Sequence, residues 1–181
     1  RAEKKLSVDN VGGLKEQWKL ETKGPITGAP AVRDGVIYVL SGGGTYALDA
    51  QDGRVLWLNE SVRGTSSATV SGDRVYVNDA KSWLHALDAA SGAEIWKSQI
   101  DPHPTASGFS SPTVFERYVI VGSASVEEAG AATGATFRGG VVAFDRDTGE
   151  EIWRFYTVEP PYNGAAVWSS ISIDPVARLA Y

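Results

Sequence analysis

The sequence predicts an all-β fold of repeated four-stranded antiparallel units, and three observations carry that prediction. Twenty glycines and eight prolines punctuate 181 residues that are 43% hydrophobic and rich in Val, Ile, Thr, Tyr and Trp, the composition of short strands joined by tight turns. No sustained run places apolar residues at helical spacing, whereas "GVIYVLSG" and "DRVYVND" alternate with the period of two that buries one strand face. The third observation is a repeat: "TYALDAQDGRVLW" (Thr45–Trp57), "LHALDAASGAEIW" (Leu84–Trp96) and "VVAFDRDTGEEIW" (Val141–Trp153) share one pattern. Each reads small-apolar-Asp, three residues, Gly, three residues, Trp. Four strands in about 40 residues is the signature of a β-propeller blade.

The elements follow in order. Residues 14–22, "LKEQWKLET", read as an outer strand around Trp18 without its three inner partners. Full blades are expected over about 24–61, 62–101 and 102–157, and a partial one over 158–181 that stops after two strands. The first blade supplies "GAPAV", "GVIYVL", "TYALDA" and "RVLWLN". Asp49/Gly53, Asp88/Gly92 and Asp145/Gly149 bracket hairpin turns, the Asp capping turn amides and the Gly taking the positive φ of the reversal. The tryptophans that close each unit are expected to pack between blades beside Ala47, Ala86 and Ala143, a structural role. A propeller closes with typically 4–8 blades, so about three and a half are expected to be a fragment or to associate with further blades.

Two features depart from the repeat. The spacings Trp18→Trp57 and Trp57→Trp96 are both 39 residues, but Trp96→Trp153 is 57. Counting from the inner strands puts about thirteen of the extra residues after "YVIVGS", in a segment carrying Glu127 and Glu128, and five in "IDPHPTAS". Such insertions are cheap on surface loops, so solvated glutamates are the plain expectation. Superposing the inner strands "TGAPAV", "TSSATV", "FSSPTV" and "WSSISI" puts Thr27, Thr65, Phe109 and Trp168 at one level, the mouth of the central channel. Trp168 is out of series with the blade-closing tryptophans, and an indole there suits a flat ligand.

Charge narrows the partners. A net charge of −5 and scattered basic residues argue against nucleic acid. No apolar segment approaches the roughly 20 residues of a membrane helix. "RAEKKLSVDN" lacks the apolar stretch of a signal peptide, and with no cysteine the redox compartment stays open. His85 lies in a strand and His103 in a loop, without a second histidine at ligand spacing, so neither is expected to bind metal.

The "ALDAxxGxxxW" unit resembles the repeat of the pyrroloquinoline quinone (PQQ) β-propellers, a weak match because scaffold propellers of outer-membrane assembly share it. "NVGGLKEQW", "VGSASVEE" followed by "FRGGVVAFDRDTGEEIWRFYTV", and "GAAVWSSISIDP" are more specific. They resemble the quinoprotein alcohol dehydrogenases, nearest to the polyvinyl-alcohol dehydrogenase group, over nearly the whole chain. The resemblance implies eight blades in the intact protein, PQQ in the channel, and calcium beside its quinone. It implies Glu127 as a metal ligand, Ser125 and Val126 at a PQQ carboxylate, and Trp168 as the floor under the ring system. A threonine whose hydroxyl touches PQQ in relatives falls at Phe109, so either Ser110 substitutes for it or that interaction is missing. Arg63 matches a family arginine too poorly to carry its role, and the paired cysteines of some relatives are absent. Glu128 is expected as a solvated neighbour. A second metal-binding Asn and the catalytic base are expected beyond Tyr181, so no catalytic residue is expected in this chain and the isolated chain is expected to be inactive. The implied activity is periplasmic oxidation of an alcohol, secondary or polymeric, with electrons passed to a cytochrome c-type acceptor. The alternative is a non-catalytic propeller that binds proteins. The "SVEE" insertion and Trp168 separate the two, because a plain scaffold has no need of either.

Overall fold

The computed structural model describes residues 6–129 and 134–181. Three antiparallel meanders follow one another. The first is β1 (Ala31–Arg33), β2 (Val36–Ser41), β3 (Gly44–Asp49) and β4 (Val55–Asn59). The second is β5 (Thr69–Ser71), β6 (Arg74–Asn78), β7 (Trp83–Asp88) and β8 (Glu94–Gln99). The third contains β10 (Thr113–Phe115), β11 (Tyr118–Ser125), β12 (Gly140–Asp145) and β13 (Glu151–Tyr156), with a short extra strand, β9 (Ala106–Ser107), on the end of β11. A final hairpin joins β14 (Ile173–Asp174) to β15 (Leu179–Ala180). Among the described residues there is no α-helix, only two 3₁₀ turns at Val11–Gly13 and Val126–Ala129. The all-β fold of four-stranded propeller blades is thus the one the repeat predicts.

The repeat motif acts the same way three times. Asp49, Asp88 and Asp145 accept hydrogen bonds from the turn amides of Gln51, Ser91 and Asp147 at 2.7–2.9 Å. Gly53, Gly92 and Gly149 sit at φ of +74°, +72° and +77°, where a side chain is strained. The preceding blade's tryptophan lies on each of these turns: the Nε1 groups of Trp18, Trp57 and Trp96 donate to the carbonyls of Ala50, Ala89 and Arg146 at 2.9–3.2 Å. A Cβ on the turn glycine would come within 2.5–2.6 Å of the indole ring in each case. Ala47, Ala86 and Ala143 pair across the sheet with Trp57, Trp96 and Trp153, and all three ladders bulge immediately after that alanine. Trp18 docks without belonging to a strand; residues 14–22 carry no ladder in the described structure.

Hydrophobic burial lies between sheets. Tyr38, Leu40 and Trp57 of the first sheet pack with Val75, Val77 and Leu87 of the second. Tyr76, Leu84 and Ala86 of the second pack with Val119, Val121, Val142 and Phe144 of the third. Each such side chain contributes about 1.5–3 kcal/mol on full burial, so a sheet is stable only beside its neighbours. Polar bonds along the inner strands hold the spacing: the amides of Ala29 and Ser67 donate to the hydroxyls of Ser67 and Ser111. The hydroxyls of Thr69 and Thr113 donate to the carbonyls of Pro112 and Ile171. Ala29, Ser67 and Ser111, at one inner position, thus bond to their counterparts in the next blade.

Candidate functional site

The two inserted segments fold onto each other. β9, from the shorter insertion, pairs with the end of β11 through Ala124↔Ser107 and Ser125↔Ala106. The Val126 amide then donates to the Thr105 carbonyl, and Thr105 Oγ1 lies 2.8 Å from Ser125 Oγ. His103 joins the same junction: Nδ1 is 2.8 Å from Thr105 Oγ1, Nε2 is 3.1 Å from Thr136 Oγ1, and the ring meets Phe137 edge-on. His103 therefore bridges the two insertions. His85, by contrast, is buried in the second sheet between Glu94 Oε2 at 2.7 Å and Asp79 Oδ2 at 3.3 Å.

Residues Val126–Ala129 form the 3₁₀ turn that opens the long insertion. With three residues per turn, neighbouring side chains leave such a helix about 120° apart, and the two glutamates face different partners. Glu127 turns into its own insertion and accepts from Thr136 N (2.9 Å), Thr136 Oγ1 (3.0 Å) and Phe137 N (3.0 Å). The Phe137 amide leads the effects that hold its carboxyl down at about 2, ahead of opposing desolvation and the Thr136 bonds, so the group is fully ionised at neutral pH. Glu128 turns the other way. Its carboxylate accepts from Ala166 N at 2.9 and 3.2 Å and from Trp168 Nε1 at 3.2 Å. The expectation that Glu128 is merely solvated is corrected: of the two, it is Glu128 that reaches the indole.

Trp168 is stitched to the third sheet from several sides. Val167 N donates to Ser123 O, and Gly164 exchanges backbone hydrogen bonds with Phe137 and Gly139. A Cβ at Gly139 would lie 2.0 Å from Ala165 O, so only glycine admits this approach. The indole stacks on Phe109 with centroids 5.0 Å apart and planes inclined by 14°, yet remains 40% exposed. Ser110, next to Phe109, is buried; its hydroxyl donates to Ser169 O and accepts from Gly122 N. Ser125 is also buried, its hydroxyl shared between Thr105 and the Glu127 amide, while the Val126 side chain is exposed. The structure thus brings Glu128, Trp168 and Phe109 into contact, with Ser110 behind the ring pair and Ser125, Val126 and Glu127 at the insertion's base.

Sequence reasoning missed the roles of Glu128, Phe109 and His103. The Phe109–Trp168 contact had a signal, because both occupy the same inner-strand level in adjacent blades. The Glu128 contact had none, since nothing in "SVEE" announces a 3₁₀ turn. An adjoining cleft of about 500 Å³ lies among Asp101, His103, Thr136, Arg138, Arg154 and Tyr156. Its guanidinium groups are already engaged: Arg138 lies 3.9 Å above the Tyr156 ring and donates to Val158 O, and Arg154 is paired with Glu151. Among the described residues no group of three or more His, Cys, Asp or Glu side chains could hold a metal ion.

The meanders, their interlocking tryptophans and an aromatic plate beside an acidic turn define a segment of a PQQ-type β-propeller. The chain belongs to the PQQ_2 family, described as "Outer membrane protein assembly factor BamB", which it matches over residues 7–177. It is 33% identical to the quinohemoprotein alcohol dehydrogenase ADH IIB of Pseudomonas putida, over 98% of this chain and 31% of that protein. It is 30% identical to a polyvinylalcohol dehydrogenase of a Pseudomonas species, over 97% of this chain and 32% of that protein. The solved structure of quinohemoprotein alcohol dehydrogenase ADHIIG from Pseudomonas putida HK5 superposes with a TM-score of 0.80 at 29% identity, covering 96% of this chain and 31% of that one. The likeness to quinoprotein dehydrogenases read from "VGSASVEE" and "GAAVWSSISIDP" therefore extends over nearly the whole chain. The chain spans about a third of the length of these relatives.

Proposed function

We propose that this chain is part of a PQQ- and calcium-dependent alcohol dehydrogenase of the periplasm, acting on a secondary or polymeric alcohol and passing electrons to a cytochrome c-type acceptor. The observation that carries the reading is the aromatic plate: Trp168, seated on Phe109 with 40% of its surface open, beside the acidic turn of the long insertion. An open indole face suits a planar, electron-poor ring system. When bound, PQQ supplies a quinone that accepts hydride from an alcohol carbon.

This chain's residues bind and orient. Trp168 forms the floor, with Phe109 and Ser110 fixing it from behind. Ser125 and Val126 meet a PQQ carboxylate at the base of the insertion. Their hydroxyl and amide are already bonded to Thr105 and Glu127, so such a contact exchanges one bond for another. Glu127 supplies a calcium ligand by exchanging bonds to Thr136 and Phe137 for the cation, and its ionised carboxylate has the hard oxygen chemistry that calcium takes. One carboxylate is not a cage, so the remaining ligands and the catalytic base come from other parts of the assembled propeller, and the chain alone is inactive. The blades at 24–61, 62–101 and 102–157 and the partial one at 158–181, with residues 14–22 docked through Trp18 on the first, form one arc of that propeller.

The test is retention of PQQ by the full-length protein with and without calcium, followed through quinone absorbance. Wild type should retain PQQ in a calcium-dependent way, Glu127→Gln should lose the calcium dependence, and Trp168→Ala should weaken retention. Equal retention by wild type and a Glu127→Gln, Trp168→Ala double variant overturns the reading. A second reading, a protein-binding scaffold, is favoured by the description of the matching family as an outer-membrane assembly factor. It requires that neither wild type nor either variant retain PQQ.

A further inference from the structure

We infer that Glu128 is a positioning residue that sets the plane of the Trp168 indole and makes it a one-faced platform for a planar, electron-poor ring ligand. This rests on the reading of the site given above and assigns a role to a residue outside the expected ligand set.

An exposed tryptophan on a loop has two free torsions, and most of its rotamers would close the site or tilt the ring out of it. Two contacts remove that freedom. Phe109 covers one ring face, nearly parallel at 5.0 Å. Glu128 takes the pyrrole edge, accepting from Nε1 at 3.2 Å while its other bonds run to Ala166 N, two residues upstream on the same segment. One carboxylate therefore ties the backbone and the ring edge of a single segment to the 3₁₀ turn of the insertion. With one face and one edge committed, the 40% of Trp168 that stays exposed is left for a guest. A charge-assisted hydrogen bond to the indole N–H is stronger than a neutral one and increases electron density in the ring, which favours stacking with an electron-poor partner. Glu127, rotated away toward Thr136 and Phe137, does not make this contact.

The experiment uses the full-length protein with ¹⁵N-labelled tryptophan, first without and then with PQQ, the Trp168 indole signal being assigned by its loss in Trp168→Phe. In Glu128→Ala without ligand, the Trp168 N–H signal should move upfield and exchange faster with solvent, while those of Trp57 and Trp96 stay in place and report an intact fold. Glu128→Gln keeps a carbonyl acceptor and should restore much of the wild-type position. PQQ affinity should fall about tenfold in Glu128→Ala, the loss of one charge-assisted hydrogen bond's worth of preorganisation, and less in Glu128→Gln. An unmoved Trp168 signal in ligand-free Glu128→Ala overturns the inference. So does a moved signal with PQQ affinity equal to wild type. A moved signal in Glu128→Ala together with a wild type that binds no PQQ leaves the positioning contact standing and overturns the dehydrogenase reading instead.

Discussion

Gly92 is required for two separable reasons, and a pair of substitutions tells them apart. Gly35 and Gly92 have nearly the same positive φ, +77° and +72°, but a Cβ at Gly35 meets nothing within 4 Å, whereas at Gly92 it meets the Trp57 ring at 2.5 Å. Gly35→Ala should cost about 1 kcal/mol, the backbone strain alone. Gly92→Ala should cost about 3 kcal/mol or more, since the indole must also move; urea unfolding of the two variants measures the difference. Asp79 gives a pH prediction. Burial opposes its charge, but the His85 ring 3.3 Å away and hydrogen bonds from the amides of Trp83 and Lys81 prevail, and its pKa lies below the ordinary 3.8. A depressed carboxyl stabilises the fold above its ordinary pKa and loses that contribution as pH falls through the lowered value. The stability gap between wild type and Asp79→Asn should therefore be full at pH 5–7 and shrink on acidification below about 4, read from urea midpoints.

At the scale of elements, the extra residues of the third blade behave as one structure. The two insertions lie about twenty residues apart in sequence, yet they share a two-residue ladder and the His103–Thr105–Ser125 chain of hydrogen bonds. Ser125→Ala removes the partner of both Thr105 Oγ1 and the Glu127 amide, at a cost of about 1–2 kcal/mol. The loss should be local, so hydrogen exchange at Val126 and Glu127 should quicken while the amides of β6 and β7 keep their protection. Counting residues from each inner strand to the closing tryptophan located both insertions. Their mutual pairing could not be counted, because a two-residue strand has no period to recognise and its partner is chosen by proximity.

For the whole molecule, stability passes from blade to blade through the tryptophan on each turn. Trp57 is 9% exposed on the Asp88–Gly92 turn, while Trp153, at the corresponding position of the third sheet, is 37% exposed. In this 181-residue chain, Trp57→Phe should cost about 2 kcal/mol, through reduced volume and the missing bond to Ala89 O, and Trp153→Phe less than about 0.5 kcal/mol. Comparable losses in chemical denaturation would mean that the docking of tryptophan on the next turn is not what couples the blades.

The sequence by itself determined the all-β class, the strands and turns of the three meanders, the structural work of Trp18, Trp57 and Trp96, and the location of the irregular segments. These are legible because they follow from periodicity and local backbone chemistry, which repeat along the chain. Only the tertiary structure decided that Glu128 reaches Trp168 while Glu127 closes its own loop, and that His103 bridges the insertions. Those outcomes depend on the rotation of one 3₁₀ turn and on which segments from different blades meet at the inner face. Both are set by long-range packing, and no spacing in the linear chain records them.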